Sequence, residues 1–82
     1  MNRAEVADTR SAAARAAMDD ALAEAHRLHA HGRATFDAAA LDSAERRFRY
    51  LAPRAAERSG EIHFALGGTL AALGRHDEAL AL

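Results

Sequence analysis

Three histidines stand close together in the chain, His26, His29 and His31, with Glu24 just upstream. On a helix His26 and His29 fall one turn apart, near enough to share a metal ion. The same residues have a second explanation: histidine near a helix C-terminus is favoured by the helix dipole and can bond the last free carbonyls. The three therefore rank as weak metal candidates, and no metal or cofactor is expected.

Covalent or acid–base catalysis needs a nucleophile beside a base. Ser43, Ser59, Thr69 and five histidines are available. No spacing among them forms a nucleophile elbow, a metalloprotease helix or a phosphate loop, and Gly67-Gly68 is too short to cradle a nucleotide. The chain reads as non-enzymatic. Arg46, Arg47, Arg49, Arg54 and Arg58 suggest a phosphate-binding surface at first sight, but Asp42, Glu45 and Glu57 are interleaved with them. A solvated face of mixed charge is the better reading.

Charge and composition narrow the classes further. The formal net charge is -1, and acids alternate with arginines instead of forming blocks, so neither nucleic acid nor a membrane surface is an expected partner. There is no cysteine, which excludes disulfides and thiolate metal sites. No apolar run approaches the roughly 18 residues of a membrane span. The start, Met1-Asn2-Arg3-Ala4-Glu5, leads into a polar, alanine-rich stretch without a secretory apolar core, so a cytoplasmic location is the default expectation.

The elements that must carry these residues are helical. Of 82 residues 24 are alanine, while valine and isoleucine occur once each, at Val6 and Ile62, and Pro53 is the only proline; strand formers are almost absent. One domain is expected at this length. Residues 1–10 lack a sustained apolar period and read as a flexible tail. Ser11 is a candidate N-cap, after which Ala14, Met18, Leu22, Ala25 and Leu28 mark one face of a first helix that Gly32 closes. Thr35 is placed to cap a second helix over about 36–51, with Phe36, Ala40, Leu41, Ala44, Phe48 and Leu51 on its apolar face. Asp42 with Glu45 has the form of a capping box and could restart that helix at Ser43. Pro53 disfavours helical geometry at Ala52 and opens a linker over 53–60. Ile62, Leu66, Leu70 and Leu73 then define a third helix, ended by Gly74. Phe64, Ala65, Ala71 and Ala72 lie off its main stripe, so it should be sandwiched between neighbours. Asp77 and Glu78 open a fourth helix, where acids suit the dipole.

The segment 60–82, GEIHFALGGTLAALGRHDEALAL, resembles the first two thirds of a tetratricopeptide repeat. The likeness rests on Leu66-Gly67, Leu70, Gly74, His76 at a usually aromatic place, and Ala79, with Gly67 and Ala79 small where two antiparallel helices approach and Gly74 at the turn. Ala44, Phe48 and Leu51 resemble the second helix of a preceding repeat, and Pro53 stands where such repeats often carry proline. The likeness is clearest over 44–82, and a weaker one extends to bacterial type III secretion translocator chaperones. Gly32 and Ala44 lie twelve residues apart, more than the repeat places there, so 11–53 is an irregular first repeat and 60–82 a partial second.

The resemblance implies an all-α domain over 11–82 of two antiparallel helical hairpins, a fragment of an α-solenoid, whose groove takes a peptide or a partner helix. His63, Gly67, Leu70 and Ala71 are the implied groove residues. Ordinary burial in the core competes as a reading for Leu66, Leu70 and Leu73. Ala79, Leu80 and Leu82 form an expected assembly edge, to be covered by more of a longer repeat protein, by a second copy, or by a different protein as in a secretion chaperone. The rival readings are a self-assembling structural unit and a small metal-responsive protein using His26, His29 and His31.

Overall fold

The computed structural model describes residues 3–82, with side chains from Ser11 onward. Four α-helices follow one another, α1 (Arg3–Thr35), α2 (Ala38–Leu51), α3 (Ser59–Ala72) and α4 (His76–Leu80), with one 3-10 turn at Ala56–Arg58 inside the expected linker. The fold is all-α, and no strand occurs among the described residues.

Helix α1 runs further at both ends than the apolar pattern suggests. Its 33 residues rise about 50 Å at 1.5 Å each, which matches the longest dimension of the molecule, 52 Å. Ser11 is an interior residue and not a cap, because Ala12, Ala13 and Ala14, which follow it, have the highest helix propensity and the helix runs through it from Arg3. Of the tail expected over 1–10, Met1 and Asn2 lie outside the described residues, and Arg3 to Arg10 have helical backbone.

Gly32 likewise lies inside α1 and not at its end. The reason is packing: a Cβ there would stand 2.6 Å from Leu41 Cγ and 2.9 Å from Leu41 Cδ2, so only glycine lets α2 come this close. The chain turns four residues later. Phe36 takes the left-handed conformation, with φ 56°, and the Asp37 N–H donates to the Gly32 carbonyl at 3.0 Å. This is a Schellman closure, whose left-handed position usually belongs to glycine. Asp37, not Thr35, caps α2, its carboxylate accepting from the Ala40 N–H at 3.2 Å. The Thr35 hydroxyl instead donates to the His31 carbonyl within α1.

Helix α2 is continuous, without a restart at Ser43, because Glu45 is engaged in ion pairs and does not reach back to a backbone N–H. Ala40, Leu41, Ala44, Phe48 and Leu51 are buried as their spacing predicts. Phe36, assigned to the same face, is 93% exposed because it belongs to the turn. The helix ends at Leu51, yet Ala52 keeps right-handed helical backbone, φ -51° and ψ -50°. What stops the ladder is therefore the N–H that Pro53 lacks, and not a change of geometry before it.

Contacts between α1 and α2 run in opposite senses, Gly32 against Leu41 and His26 against Phe48, so the two helices are antiparallel. Those between α1 and α3, with the 3-10 turn that leads into it, run in the same sense, through Asp19 with Arg58 of the turn, His26 with Glu61 and His29 with Thr69. The core lies among the three helices: Leu22 and Ala25 from α1, Phe48 and Leu51 from α2, Ile62, Leu66 and Leu70 from α3. Ala14, expected on the buried face of α1, is exposed, since α2, at 14 residues, is far shorter than α1 and leaves that part of it uncovered. At the end of α3, Gly74 has φ 79°, with the Arg75 N–H donating to Leu70 O at 2.8 Å and the Gly74 N–H to Ala71 O at 3.0 Å. Here glycine does hold the left-handed place of a Schellman motif. Helix α3 packs against α2 and α4, as its second apolar side requires, but the face that carries Phe64, at 87% exposure, is left open.

Candidate functional site

The three histidines of α1 face different neighbours. The His26 ring packs edge-on against Phe48, centroids 5.1 Å apart, and its Nε2 lies 3.9 Å from Glu61. His31 Nε2 lies 3.7 Å from Asp37. His29 Nδ1 is 2.7 Å from the Thr69 hydroxyl. That hydroxyl, on a fully buried residue, donates to the Ala65 carbonyl, so His29 Nδ1 must carry a proton and donate to it. Burial pushes the His29 imidazole below its ordinary value, and the Arg33 charge and then His26 add to the shift. Among the described residues no three His, Asp or Glu side chains come together as a metal site would require. The cluster fastens α1 to its neighbours, a role visible only when those neighbours are in place.

The charged residues organise around Glu45, which is buried. Its carboxylate accepts from Arg49 at 2.6 Å and from Arg75 at 2.8 Å, and both arginines also meet Glu78. Burial raises the Glu45 carboxyl, but the hydrogen bonds from Arg75 and Arg49 outweigh that and hold it below its usual range. The ring of four ties the first turn of α4 to α2. Other described arginines are also tied down: Arg46 to Asp42, Arg58 to Asp19 and Glu61, while Arg54 stacks 3.8 Å above the Tyr50 ring and bonds the Tyr50 carbonyl.

The outward face of α3 is the part of the surface best suited to binding. Of the four residues assigned to a groove, His63, Gly67 and Ala71 reach it and Leu70 does not. His63 is exposed, with Nδ1 2.9 Å from the Ser59 carbonyl. Gly67 and Ala71 are half-buried. Leu70 is wholly inside the core. Two open depressions flank this face. One, of about 640 Å³, lies between Gly32, Phe36, Leu41, Gly68 and Ala71; the other, of about 540 Å³, between His63, Phe64, Gly67, Leu80 and Leu82. Arg33 and Gly68 line both. Leu80 is 86% exposed, Leu82 is also exposed, and Ala79 packs half-buried against the core.

Gly67 is not needed for a close approach of α3 and α4, since a Cβ there would meet only Leu82 Cδ1, at an ordinary 3.8 Å. Phe36, Phe64 and Arg33 are the residues of this surface that the sequence pattern does not select. Phe64 falls off the apolar stripe of α3, which is itself a signal, whereas nothing in the spacing separates Phe36 from the core positions of α2. No family model matches the chain, and neither a curated protein nor a solved structure does. No described helix is long and apolar enough to cross a membrane.

Proposed function

We propose that this chain is a non-enzymatic, cytoplasmic interaction module or chaperone-like adaptor. It binds a peptide or a partner helix on the outward face of α3, in the manner of a tetratricopeptide groove. The observation that carries this reading is the pair of large side chains left in solvent around the second depression, Phe64 and Leu80, at 87% and 86% exposure. Apolar side chains grouped in this way around a trough, on a chain whose polar residues are largely paired with one another, fit the burial of a partner better than chemistry. The similarity of residues 44–82 to a tetratricopeptide repeat supports the same face, since the helix that precedes the turn at Gly74 is the one such repeats turn toward a ligand.

The test is a selection of peptides against the folded chain, followed by mapping of the bound peptide through backbone amide shifts. The expected outcome is that shifts cluster at His63, Gly67 and Ala71, and that Ala71→Arg abolishes binding while leaving the circular dichroism unchanged. Shifts clustered at Tyr50, or binding indifferent to Ala71→Arg, would reject the groove. A second reading, self-assembly, has its own observation in the exposed edge of Leu80 and Leu82. It predicts a molar mass that rises with concentration and falls back to the monomer in Leu80→Glu.

A further inference from the structure

The outward face of α3 contains two adjacent glycines, Gly67 and Gly68, in the middle of a 14-residue helix. Glycine is the poorest helix residue after proline, so a fold that needs none at a site is expected to carry alanine there. This fold needs none at either. A Cβ on Gly68 would meet only His29 Cε1 at 3.7 Å, and one on Gly67 only Leu82 Cδ1 at 3.8 Å, both ordinary contacts. The contrast with Gly32, where a Cβ would collide with Leu41, separates a glycine required by the chain's own packing from two that are not.

The surroundings of the pair indicate what approaches. Phe64 stands one turn before Gly68 on the same side of the helix. Phe36, held with φ 56° and 93% exposed, closes the other end. Arg33 lines both depressions and is their only side chain with a full charge. It makes no ion pair with any described residue, which it shares with Arg15, Arg47 and Arg54 and which sets it apart from Arg46, Arg49, Arg58 and Arg75. No acidic side chain lines either depression.

We infer that Gly67 and Gly68 are the crossing point for an acidic amphipathic helix of a partner protein, whose small residues touch the glycine backbone and whose carboxylate meets Arg33. Large apolar side chains one turn to either side of that crossing enter the two depressions, against Phe36 and Phe64. A helix suits this trough better than an extended segment because α3 has already spent its backbone groups internally. An extended chain laid on it would lose water from its own N–H and C=O groups without gaining a ladder, whereas a helix arrives satisfied. This inference rests on the reading of the chain as a binding module and adds to it the shape and charge of the partner.

The experiment uses the full chain and two synthetic stapled helices that share alanine at the crossing and leucine one turn to either side. One has glutamate along its border and the other lysine. Binding is read by calorimetry and by amide shifts, with light scattering on the chain alone. The acidic helix is expected to bind at Gly67, Gly68 and Ala71, and the lysine helix about tenfold more weakly. Arg33→Glu is expected to reverse that order. Gly67→Ala with Gly68→Ala is expected to raise the thermal midpoint of the free chain while weakening the acidic helix about tenfold, so that loss of binding cannot be ascribed to misfolding. Equal binding of both helices, or undiminished binding to the double alanine variant, overturns the inference and leaves the binding module standing. No shift on α3 with either helix, or a chain that covers this face by self-association, overturns both.

Discussion

Phe36 should be a residue whose replacement by glycine makes the protein more stable. A left-handed backbone costs an L-residue roughly 1–2 kcal/mol, because Cβ crowds the following carbonyl oxygen. Phe36 bears that cost with φ 56°, and its ring, 93% exposed, offers almost no burial to offset it. Glycine removes the crowding but brings a more flexible unfolded chain, which returns about 0.5–1 kcal/mol. The net gain is then about 0–1.5 kcal/mol, centred on about 0.75 kcal/mol, which is a rise of roughly 3–6 °C in Tm for a domain of this size. Thermal unfolding followed by circular dichroism measures it directly. Phe36→Ala is the decisive control, since it removes the same ring but keeps the Cβ. It should show no rise. An equal rise in both variants would mean that the exposed ring and not the backbone is costly, and a fall in Phe36→Gly would mean that the ring is packed after all.

Three further outcomes follow from particular contacts. Gly32→Ala should destabilise by about 1–3 kcal/mol, because the new Cβ meets Leu41 Cγ near its branch point and not at a flexible end; denaturant unfolding reads it, and Leu41→Ala should remove most of the difference. Glu45 titrates below 4.5 in the folded chain, so its contribution stands above that pH and is lost as pH falls through the lowered folded value; Glu45→Gln should flatten the acid limb of stability against pH and leave amide exchange in α4 faster at neutral pH. His29 titrates below 6.5 when folded, so the unfolded chain takes up the proton first and stability declines as pH falls below about 6.5; His29→Asn, which keeps a donor for Thr69, should lessen that decline, and an unchanged pH profile would show that His29 is not its source.

The residues that the apolar period selects on α2 and α3, Phe48, Leu51, Ile62, Leu66 and Leu70, are core residues in the structure. The period finds them because a helical stripe is a property of one helix taken alone. The same logic fails at the ends of helices, where a local preference competes with a contact from elsewhere. Gly32 has the right type for a helix stop, yet Leu41 explains it and the stop falls at Phe36. Glu45 has the right spacing for a capping box, yet Arg75, thirty residues further on, claims its carboxylate.

The face of α3 divides in the same way. That His63, Gly67 and Ala71 share one side of a helix follows from 3.6 residues per turn, and so does the exclusion of Leu70 once the core side is known. That Arg33 and Phe36 stand beside them does not follow, because it depends on α1 and α3 running in the same sense and on a turn that phenylalanine, not glycine, makes in the left-handed form. Sequence alone thus determines the helical class and the apolar stripes, which arise from neighbours in the chain. Tertiary structure alone decides the helix ends, the partners of the histidines and the make-up of the exposed trough, since each depends on contacts between residues far apart in the chain whose free energy exceeds the small local preferences they override.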